Sequence, residues 1–204
     1  MVMLAMHPEY QERAFEEIYS YYPEKSFEFK YEDFERLPYL TMVVNETLRL
    51  LPAAPLLSRQ ATKDIQIDEK TILPSGTQVL IPTLSIHTNT DVWGPNARKF
   101  NPDNFLPSNL ENIPAYAYMP FSKGSRNCIG KATVLVFDIY YMYFVNRFFF
   151  NVGWRSGEYQ VKIIVAGIIR NFRITTSCKY EELKFGYLGA LKFLEEPKLA
   201  IYPR

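Results

Sequence analysis

Cys128 is the residue of this sequence whose surroundings are best suited to chemistry. It lies in the run Phe-Ser-Lys-Gly-Ser-Arg-Asn-Cys-Ile-Gly, which spans residues 121–130. A thiolate can be the fifth ligand of a haem iron, where it pushes electron density towards bound oxygen. Such a thiolate needs backbone donors close to the sulfur. The run therefore indicates either a haem ligand or an ordinary buried free cysteine, which is the commonest fate of this residue type.

The neighbours of Cys128 favour the haem interpretation. Gly124 and Gly130 allow tight turns and a close approach of the backbone to a flat macrocycle. Arg126 carries a guanidinium that could bind a haem propionate, and Phe121 could cover the haem face beside the sulfur. The run matches F-x-x-G-x-R-x-C-x-G at every fixed position and resembles the haem-binding signature of the cytochromes P450. The resemblance implies haem b (iron protoporphyrin IX) with Cys128 as the axial thiolate.

A second motif lies in the helix predicted from Pro38 to Leu50. Glu46 and Arg49 are three residues apart, so they share a helix face and can pair. An exposed pair of this kind contributes under about 1 kcal/mol. The order of the motifs, however, resembles the P450 K helix, whose Glu–Arg pair is buried and structural. The resemblance places a third partner in Pro-Asp-Asn-Phe at residues 102–105, where Asn104 occupies a position that is commonly Arg and brings no charge.

Two roles remain open for each of three further residues, Arg59, His87 and Cys178. Arg59 lies in a predicted strand that, by the resemblance, passes the haem edge and supplies a propionate-binding Arg; the alternative is a solvated strand residue. His87 could be a ligand, but we expect a packed or hydrogen-bonded histidine. Cys178 is expected to be structural or exposed. Cys178 and Cys128 lie in different sequence contexts, which argues against a disulfide between them. Free thiols suit a reducing compartment.

Helices dominate the predicted structure before residue 52. The chain opens inside an apolar helix, Met1–Met6, and Pro8 can begin a second helix that ends at Tyr22. A short helix is predicted over Tyr31–Leu37, before the stronger one that contains Glu46 and Arg49. The predicted inward positions of that stronger segment are Leu40, Val43, Val44, Thr47, Leu48 and Leu51.

Short strands separated by polar turns are predicted for much of the remainder. They cover Leu56–Thr62, Ile65–Ile67, Thr71–Leu73, Gln78–Ile81, Phe172–Thr176, Leu183–Phe185, Ala190–Leu194 and Leu199–Tyr202. Turns are expected at Asp68–Lys70, Pro74–Gly76 and Gly186–Gly189. The hairpin around the last turn reaches the substrate pocket in P450s, but it could equally be plain sheet packing. The fold predicted is mainly α with a minor β region (α+β), resembling an incomplete C-terminal part of the cytochrome P450 fold.

The family pattern breaks directly after Gly130. In P450s a helix that begins with a Trp-Arg-like sequence follows the cysteine loop at once, whereas here Lys131–Gly153 intervenes before Trp154. We therefore divide the chain into residues 1–130, which end with the haem-cysteine loop, an anomalous insert at 131–153, and residues 154–204, which contain the helix and the C-terminal β hairpin.

Three origins of the insert remain open. A retained intron fits the codons, because Gly-Lys can be GGT-AAG with a splice-donor sequence, Phe148–Phe150 can be a pyrimidine tract, and Asn-Val-Gly can contain an acceptor AG. Both junctions then fall in one phase of a glycine codon. A membrane span is the second reading, since Ala132–Val152 approaches the ~20 apolar residues that a bilayer needs. Asp138 and Arg147 interrupt it. A native loop is the third.

The resemblance also implies a function and a location. It points to a haem–thiolate monooxygenase of the microsomal animal type, on the fatty-acid and xenobiotic-hydroxylase branch, that inserts one atom of O₂ into an apolar small molecule. Electrons would come from NADPH–cytochrome P450 reductase at the cytosolic face of the endoplasmic reticulum membrane. The N-terminal anchor and the helices of the distal haem face are expected to lie outside this sequence. A net charge of +1 offers no case for nucleic acid.

The competing class is non-enzymatic: an inactive fragment or misannotated gene product that binds haem poorly or not at all. A membrane-inserted protein built on the insert is a further rival. We expect the 204-residue chain to lack the red-shifted absorption band that thiolate ligation gives reduced, CO-bound haem. The reasons are the missing distal helices and the interruption after Gly130.

Overall fold

The computed structural model describes residues 1–24, 31–125, 127–128, 157–187 and 190–204. Its α-helices are α1 Val2–Met6, α2 Pro8–Tyr21, α3 Pro38–Leu50, α4 Thr83–His87, α5 Thr90–Trp93, α6 Pro107–Leu110 and α7 Gly157–Asn171. Short 3₁₀ helices cover Tyr31–Arg36, Pro102–Phe105 and Tyr180–Glu182. The strands are β1 Leu57–Gln60, β2 Ile65–Gln66, β3 Ile72–Leu73, β4 Gln78–Ile81, β5 Phe172–Thr175, β6 Phe185–Tyr187, β7 Leu191–Phe193 and β8 Ala200–Pro203. Helix predominates over strand, so the predicted fold class is confirmed.

The described strands pair antiparallel, two by two. β1 pairs with β4, β2 with β3, β5 with β8, and β6 with β7. The predicted turn between β2 and β3 forms because one Asp68 carboxylate oxygen accepts the N–H groups of Lys70 and Thr71, both at 2.9 Å. The strands are mostly one to three residues shorter than predicted, since polar turns take their ends.

The last hairpin is displaced from its predicted position. Strands were expected over Leu183–Phe185 and Ala190–Leu194, whereas β6 and β7 occupy Phe185–Tyr187 and Leu191–Phe193. The cause is the 3₁₀ helix over Tyr180–Glu182, because the N–H of Leu183 donates to the carbonyl of Tyr180 at 3.2 Å. The first strand therefore begins only at Phe185, whose ring packs against Phe193 with 5.2 Å between centroids.

Helix α3 lies at the centre of the hydrophobic core, in contact with α2, α7 and the 3₁₀ helix at Pro102–Phe105. Of its predicted inward positions, Leu40, Val43 and Val44 are buried, but Thr47, Leu48 and Leu51 are only half-buried. Leu51 nevertheless packs against the hydrophobic core, as predicted. The prediction was wrong for Thr47 and Leu48, because the buried surface of α3 turns towards other positions. Those positions are Tyr39, Met42, Glu46, Arg49 and Leu50.

A side chain of α2 caps the N-terminus of α3. Pro38 stands in the first turn of α3, where its missing N–H costs nothing, and no side chain within α3 caps the helix. Instead the two carboxylate oxygens of Glu17 accept the N–H groups of Tyr39 and Leu40, each at 2.8 Å. A carboxylate at this end of a helix also complements the helix dipole. Glu17 therefore fixes α3, which carries Glu46 and Arg49, against α2.

The C-terminal part of the chain is attached to α2 by buried polar contacts. The Gln11 side chain exchanges two hydrogen bonds with the backbone of Ile174 in β5, at 2.8 and 2.9 Å. Arg170 of α7 donates to the carbonyls of Tyr22, at 2.8 Å, and Pro23. Within the described ranges no helix is both long and apolar enough to cross a bilayer. The candidate span at 132–152 lies outside the described residues.

Candidate functional site

The described part of the cysteine loop is closed by its own backbone. The N–H of Cys128 donates to the carbonyl of Phe121 at 2.8 Å, and the N–H of Asn127 donates to that of Gly124 at 3.2 Å. Two residues adopt left-handed backbone angles, Ser122 with φ 62° and Gly124 with φ 90°. Glycine adopts this conformation at no steric cost, which explains Gly124. The loop returns on itself and leaves the free thiol of Cys128 exposed.

Arg59 stands beside this loop. It lies in β1 opposite Val79 of β4 and is half-buried. One guanidinium nitrogen, Nη2, is 3.4 Å from the hydroxyl of Ser122, and Nη1 donates to the carbonyl of Ser58 at 2.9 Å. The tertiary fold thus brings a cation from the β region to the loop that carries the exposed sulfur, 69 positions later in the sequence.

The C-terminal hairpin reaches the segment that leads into β1. The N–H of Leu191 donates to the carbonyl of Ala53 at 2.8 Å, and the hydroxyl of Tyr187 donates to that of Leu56 at 3.2 Å. The hairpin is therefore hydrogen-bonded to segment 53–56, which leads directly into the strand that bears Arg59.

The predicted site residues divide into two groups. Phe121, Gly124, Cys128 and Arg59 lie together around the loop. Arg126 and Gly130 lie outside the described residues, as does the whole insert at 131–153.

The described loop fits a haem with a cysteine ligand. An exposed free thiol offers one sulfur donor, and the neighbouring guanidinium matches the charge of a propionate. Across the described ranges no group of three or more His, Cys, Asp or Glu side chains could hold a metal ion by itself. Haem iron is held by its porphyrin and needs only axial ligands from the protein, so this donor set is sufficient for it.

Glu46 and Arg49 form a buried ion pair within α3. Arg49 donates from Nε to Glu46 Oε2 and from Nη2 to Glu46 Oε1, both at 2.7 Å, in a bidentate geometry. Both side chains are fully excluded from solvent. The guanidinium also lies over the ring of Trp93, 4.8 Å from its centroid. Pairs of this bidentate kind are strong and directional.

The remaining donors and acceptors of the pair connect it to two later segments. Arg49 donates to the carbonyls of His87, at 2.7 Å, and Ala97, at 2.5 Å. Glu46 Oε1 also accepts the backbone N–H of Asn101 at 2.9 Å and the Asn104 side-chain amide at 3.1 Å. Asn104 thus joins the network by a neutral hydrogen bond in place of a second cation. Burial raises the pKa of Glu46, against the lowering effect of these bonds.

His87 is packed and hydrogen-bonded, as predicted, and its two partners determine its tautomer. The backbone N–H of Met119 donates to Nε2 at 2.9 Å, so Nε2 carries no proton. Nδ1 lies 3.1 Å from the carbonyl of Arg49 and must be the protonated nitrogen. The ring is fully buried, and desolvation lowers the pKa of His87 to about 4. His87 is therefore neutral near pH 7.

Several contributors to this site carried no recognisable signal in the sequence. Ser122 adopts a left-handed backbone although it is not glycine. Asn101 contributes its backbone N–H, which every non-proline residue possesses. Tyr118 donates its hydroxyl to the carbonyl of Asn45 at 3.1 Å. Only the Asn-Pro pair at 101–102 hinted at a helix start, and the Asn101 side chain does cap it by accepting the N–H of Asp103 at 3.1 Å.

Comparison with known proteins places these features in one family of proteins. The family model described as Cytochrome P450 matches residues 1–133. Probable cytochrome P450 313a4 of Drosophila melanogaster is 36% identical over 205 residues, which cover 100% of this chain and 37% of that protein. Cytochrome P450 3A15 of Cavia porcellus is 42% identical over 67% of this chain and 26% of that protein. Cytochrome P450 4F12 of Homo sapiens is 42% identical over 63% and 25% respectively. The chain thus spans well under half the length of these relatives.

Proposed function

Because this chain belongs to the cytochrome P450 family, we propose that it supplies the cysteine-ligand part of a haem–thiolate monooxygenase. The observation that carries the proposal is the exposed thiol of Cys128, in a loop that closes on Phe121 and has the Arg59 guanidinium beside it. These are the features that a thiolate-ligated haem requires: an accessible sulfur, a shaped backbone and a cation for a propionate.

Each residue of the loop has a specific task in this proposal. Cys128 provides the axial sulfur, and its N–H, bound to the carbonyl of Phe121, fixes where that sulfur stands. Arg59 neutralises a propionate, together with Arg126 by family resemblance. Gly124 gives the turn and Gly130 ends the run. When bound, haem b supplies the oxygen chemistry by which one atom of O₂ is inserted into an apolar substrate.

The direct test is haem binding by the 204-residue chain and by Cys128→Ala, with Cys178→Ala as the matched control. Cys178 is only partly exposed, and burial together with nearby Glu182 raises the pKa of its thiol, so it forms a thiolate less readily. We expect ferric haem to show a sulfur-donor spectrum in the wild type and in Cys178→Ala but not in Cys128→Ala. Identical spectra from all three chains would reject ligation by Cys128.

The same samples distinguish the second candidate function, an inactive product that binds haem poorly or not at all. The match to the family model ends at residue 133, three residues after the run that contains Cys128, and this favours that candidate. We expect the reduced, CO-bound chain to lack the red-shifted band of a stable thiolate, even where the ferric form has a sulfur ligand. A strong red-shifted band would instead show that this chain supports an intact site.

The division into residues 1–130, 131–153 and 154–204 rests on the same break. We propose a retained intron for Lys131–Gly153, in preference to a native loop or a membrane span, because its ends can be encoded with splice-donor and splice-acceptor sequences in one phase of a glycine codon. Transcripts sequenced across Gly130 are expected to include a form in which Gly130 is followed directly by Trp154. A message that always contains the intervening bases would reject the intron.

The partners and location follow from the family and stay proposals. They are an apolar small-molecule substrate, electrons from NADPH–cytochrome P450 reductase, and the cytosolic face of the endoplasmic reticulum membrane. The hydrogen bonds between the C-terminal hairpin and segment 53–56, which leads into the strand of Arg59, support a position of this hairpin near the haem and its substrate. The test is co-fractionation with microsomal membranes and reduction of the haem by the purified reductase and NADPH; absence of both would reject this assignment.

A further inference from the structure

His87 connects the buried ion pair to the segment that enters the cysteine loop. Its carbonyl accepts from Arg49 Nη1 at 2.7 Å, and its ring Nδ1 donates to the carbonyl of Arg49 at 3.1 Å. On the opposite side, ring Nε2 accepts the N–H of Met119 at 2.9 Å. The His87 side chain thus links α3 to the segment at Met119, which lies 32 residues after His87.

The contact at Met119 is transmitted to Cys128 through two backbone hydrogen bonds. The carbonyl of Met119 accepts the N–H of Ser122 at 3.0 Å, which closes the turn that contains Phe121. The carbonyl of Phe121 in turn accepts the N–H of Cys128 at 2.8 Å. Met119 is buried, so its backbone N–H has no ready water to replace the imidazole.

We infer that His87 is a positioning residue that fixes the entrance of the cysteine loop, and through it the sulfur of Cys128, relative to the buried Glu46–Arg49 pair. The ring is suited to this because it is rigid, fully buried and held in a single tautomer by two backbone partners. The role at the sulfur rests on the proposed function of Cys128. The link to Met119 does not depend on that function.

Two substitutions separate the two ends of the imidazole. His87→Gln can place its side-chain oxygen near the position of Nε2, where it can still accept the Met119 N–H. His87→Asn can place its amide nitrogen near the position of Nδ1, so it keeps the donor to Arg49 but does not reach Met119. Both variants are neutral and polar, which makes each the control for the other. Tyr118→Phe is a further control, since it removes the hydroxyl contact with Asn45 but keeps the ring beside His87.

The first measurement is amide hydrogen exchange at Met119 in the full 204-residue chain without haem. Loss of one buried hydrogen bond is expected to speed exchange by about fivefold to tenfold in His87→Asn, whereas His87→Gln and Tyr118→Phe stay close to the wild type. Equal exchange in the Asn and Gln variants would overturn the inference. Should the Asn variant not fold, the wild type decides, because an N–N scalar coupling between Met119 and His87 Nε2 is expected and its absence would overturn the link.

The second measurement is the fraction of ferric haem that shows the sulfur-donor spectrum. We expect His87→Asn to lower this fraction and His87→Gln to keep it at the wild-type value. A merely structural role would instead lower the fraction in both variants, in proportion to their loss of stability. Cys128→Ala separates the two proposals. If it leaves the haem spectrum unchanged, ligation by Cys128 is rejected and the role of His87 at the sulfur is overturned with it, while the exchange data at Met119 still decide the link.

Discussion

Replacing Arg49 by Met is expected to destabilise the protein strongly, because it leaves the Glu46 carboxylate buried without its cation. Both side chains are fully excluded from solvent, and Arg49 makes two bonds of 2.7 Å to Glu46. Breaking such a pair from one side costs about 3–5 kcal/mol. The carbonyls of His87 and Ala97 lose a donor as well, at about 1 kcal/mol each. The expected loss is therefore at least about 5 kcal/mol of the free energy of unfolding.

The contribution of the buried charge to this loss is isolated by making Arg49→Met in a chain that already carries Glu46→Gln. No carboxylate remains there, so Arg49→Met is expected to cost only its hydrogen bonds, about 2 kcal/mol for the two carbonyls. The coupling between the two positions should thus be about 3 kcal/mol or more. The assay is urea unfolding followed by circular dichroism at pH 7, with an osmolyte present so that the weakest variant begins folded.

An exposed pair provides the matched control. Lys184 lies 2.7 Å from Glu195, with both side chains mostly in solvent, so Lys184→Met is expected to change stability by an amount close to the error of the method. Two results would refute the reasoning. One is a cost for Arg49→Met as small as that of Lys184→Met, and the other is an equal cost in the presence and absence of the Glu46 carboxylate.

Three further predictions concern single side chains. The lowered pKa of His87, about 4 against 6.5, means that only the unfolded chain takes up a proton between these values. The free energy of unfolding should therefore fall by up to about 3 kcal/mol from pH 6.5 to 4, and His87→Gln should show a smaller fall in urea titrations across this range. Glu17→Ala should cost about 1–2 kcal/mol as a lost helix cap, whereas the exposed neighbour Glu16→Ala should cost little in the same assay. Asn104→Asp should destabilise more than Asn104→Ala, because it places a second carboxylate beside Glu46; equal losses would argue against the contact between Asn104 and Glu46.

The helices were predictable because their signals are local. Pro8 and Pro38 mark the first turns of α2 and α3, and the spacing of apolar residues after each is helical. The ends of the short strands were less predictable. At the last hairpin, Leu183 and Lys184 follow a 3₁₀ helix over Tyr180–Glu182 and lie outside any strand, and nothing in the alternating pattern of residues 183–185 distinguishes this outcome from the expected strand.

The buried faces were predicted only in part. A helical pattern of apolar residues does not reveal that a charged pair is buried among them, and for that reason Thr47 and Leu48 were placed inward while Glu46 and Arg49 occupy the more deeply buried positions. The family resemblance, and not the periodicity, pointed to a buried Glu–Arg pair. A carboxylate and a guanidinium tolerate burial only when both are fully bonded, which depends on partners from residues 87–104.

The sequence by itself determined the residues able to do chemistry: the cysteine run at 121–130, the Glu46–Arg49 spacing on one helix turn, and the family to which both belong. These depend on residue type and on separations of a few positions, which the chain specifies directly. Only the tertiary structure decided that Glu17 caps α3, that Arg59 stands at the loop of Cys128, and that His87 holds Met119. The reason is that these partners are tens of residues apart, and a polar group in the sequence does not disclose which distant backbone group packing will leave in need of it.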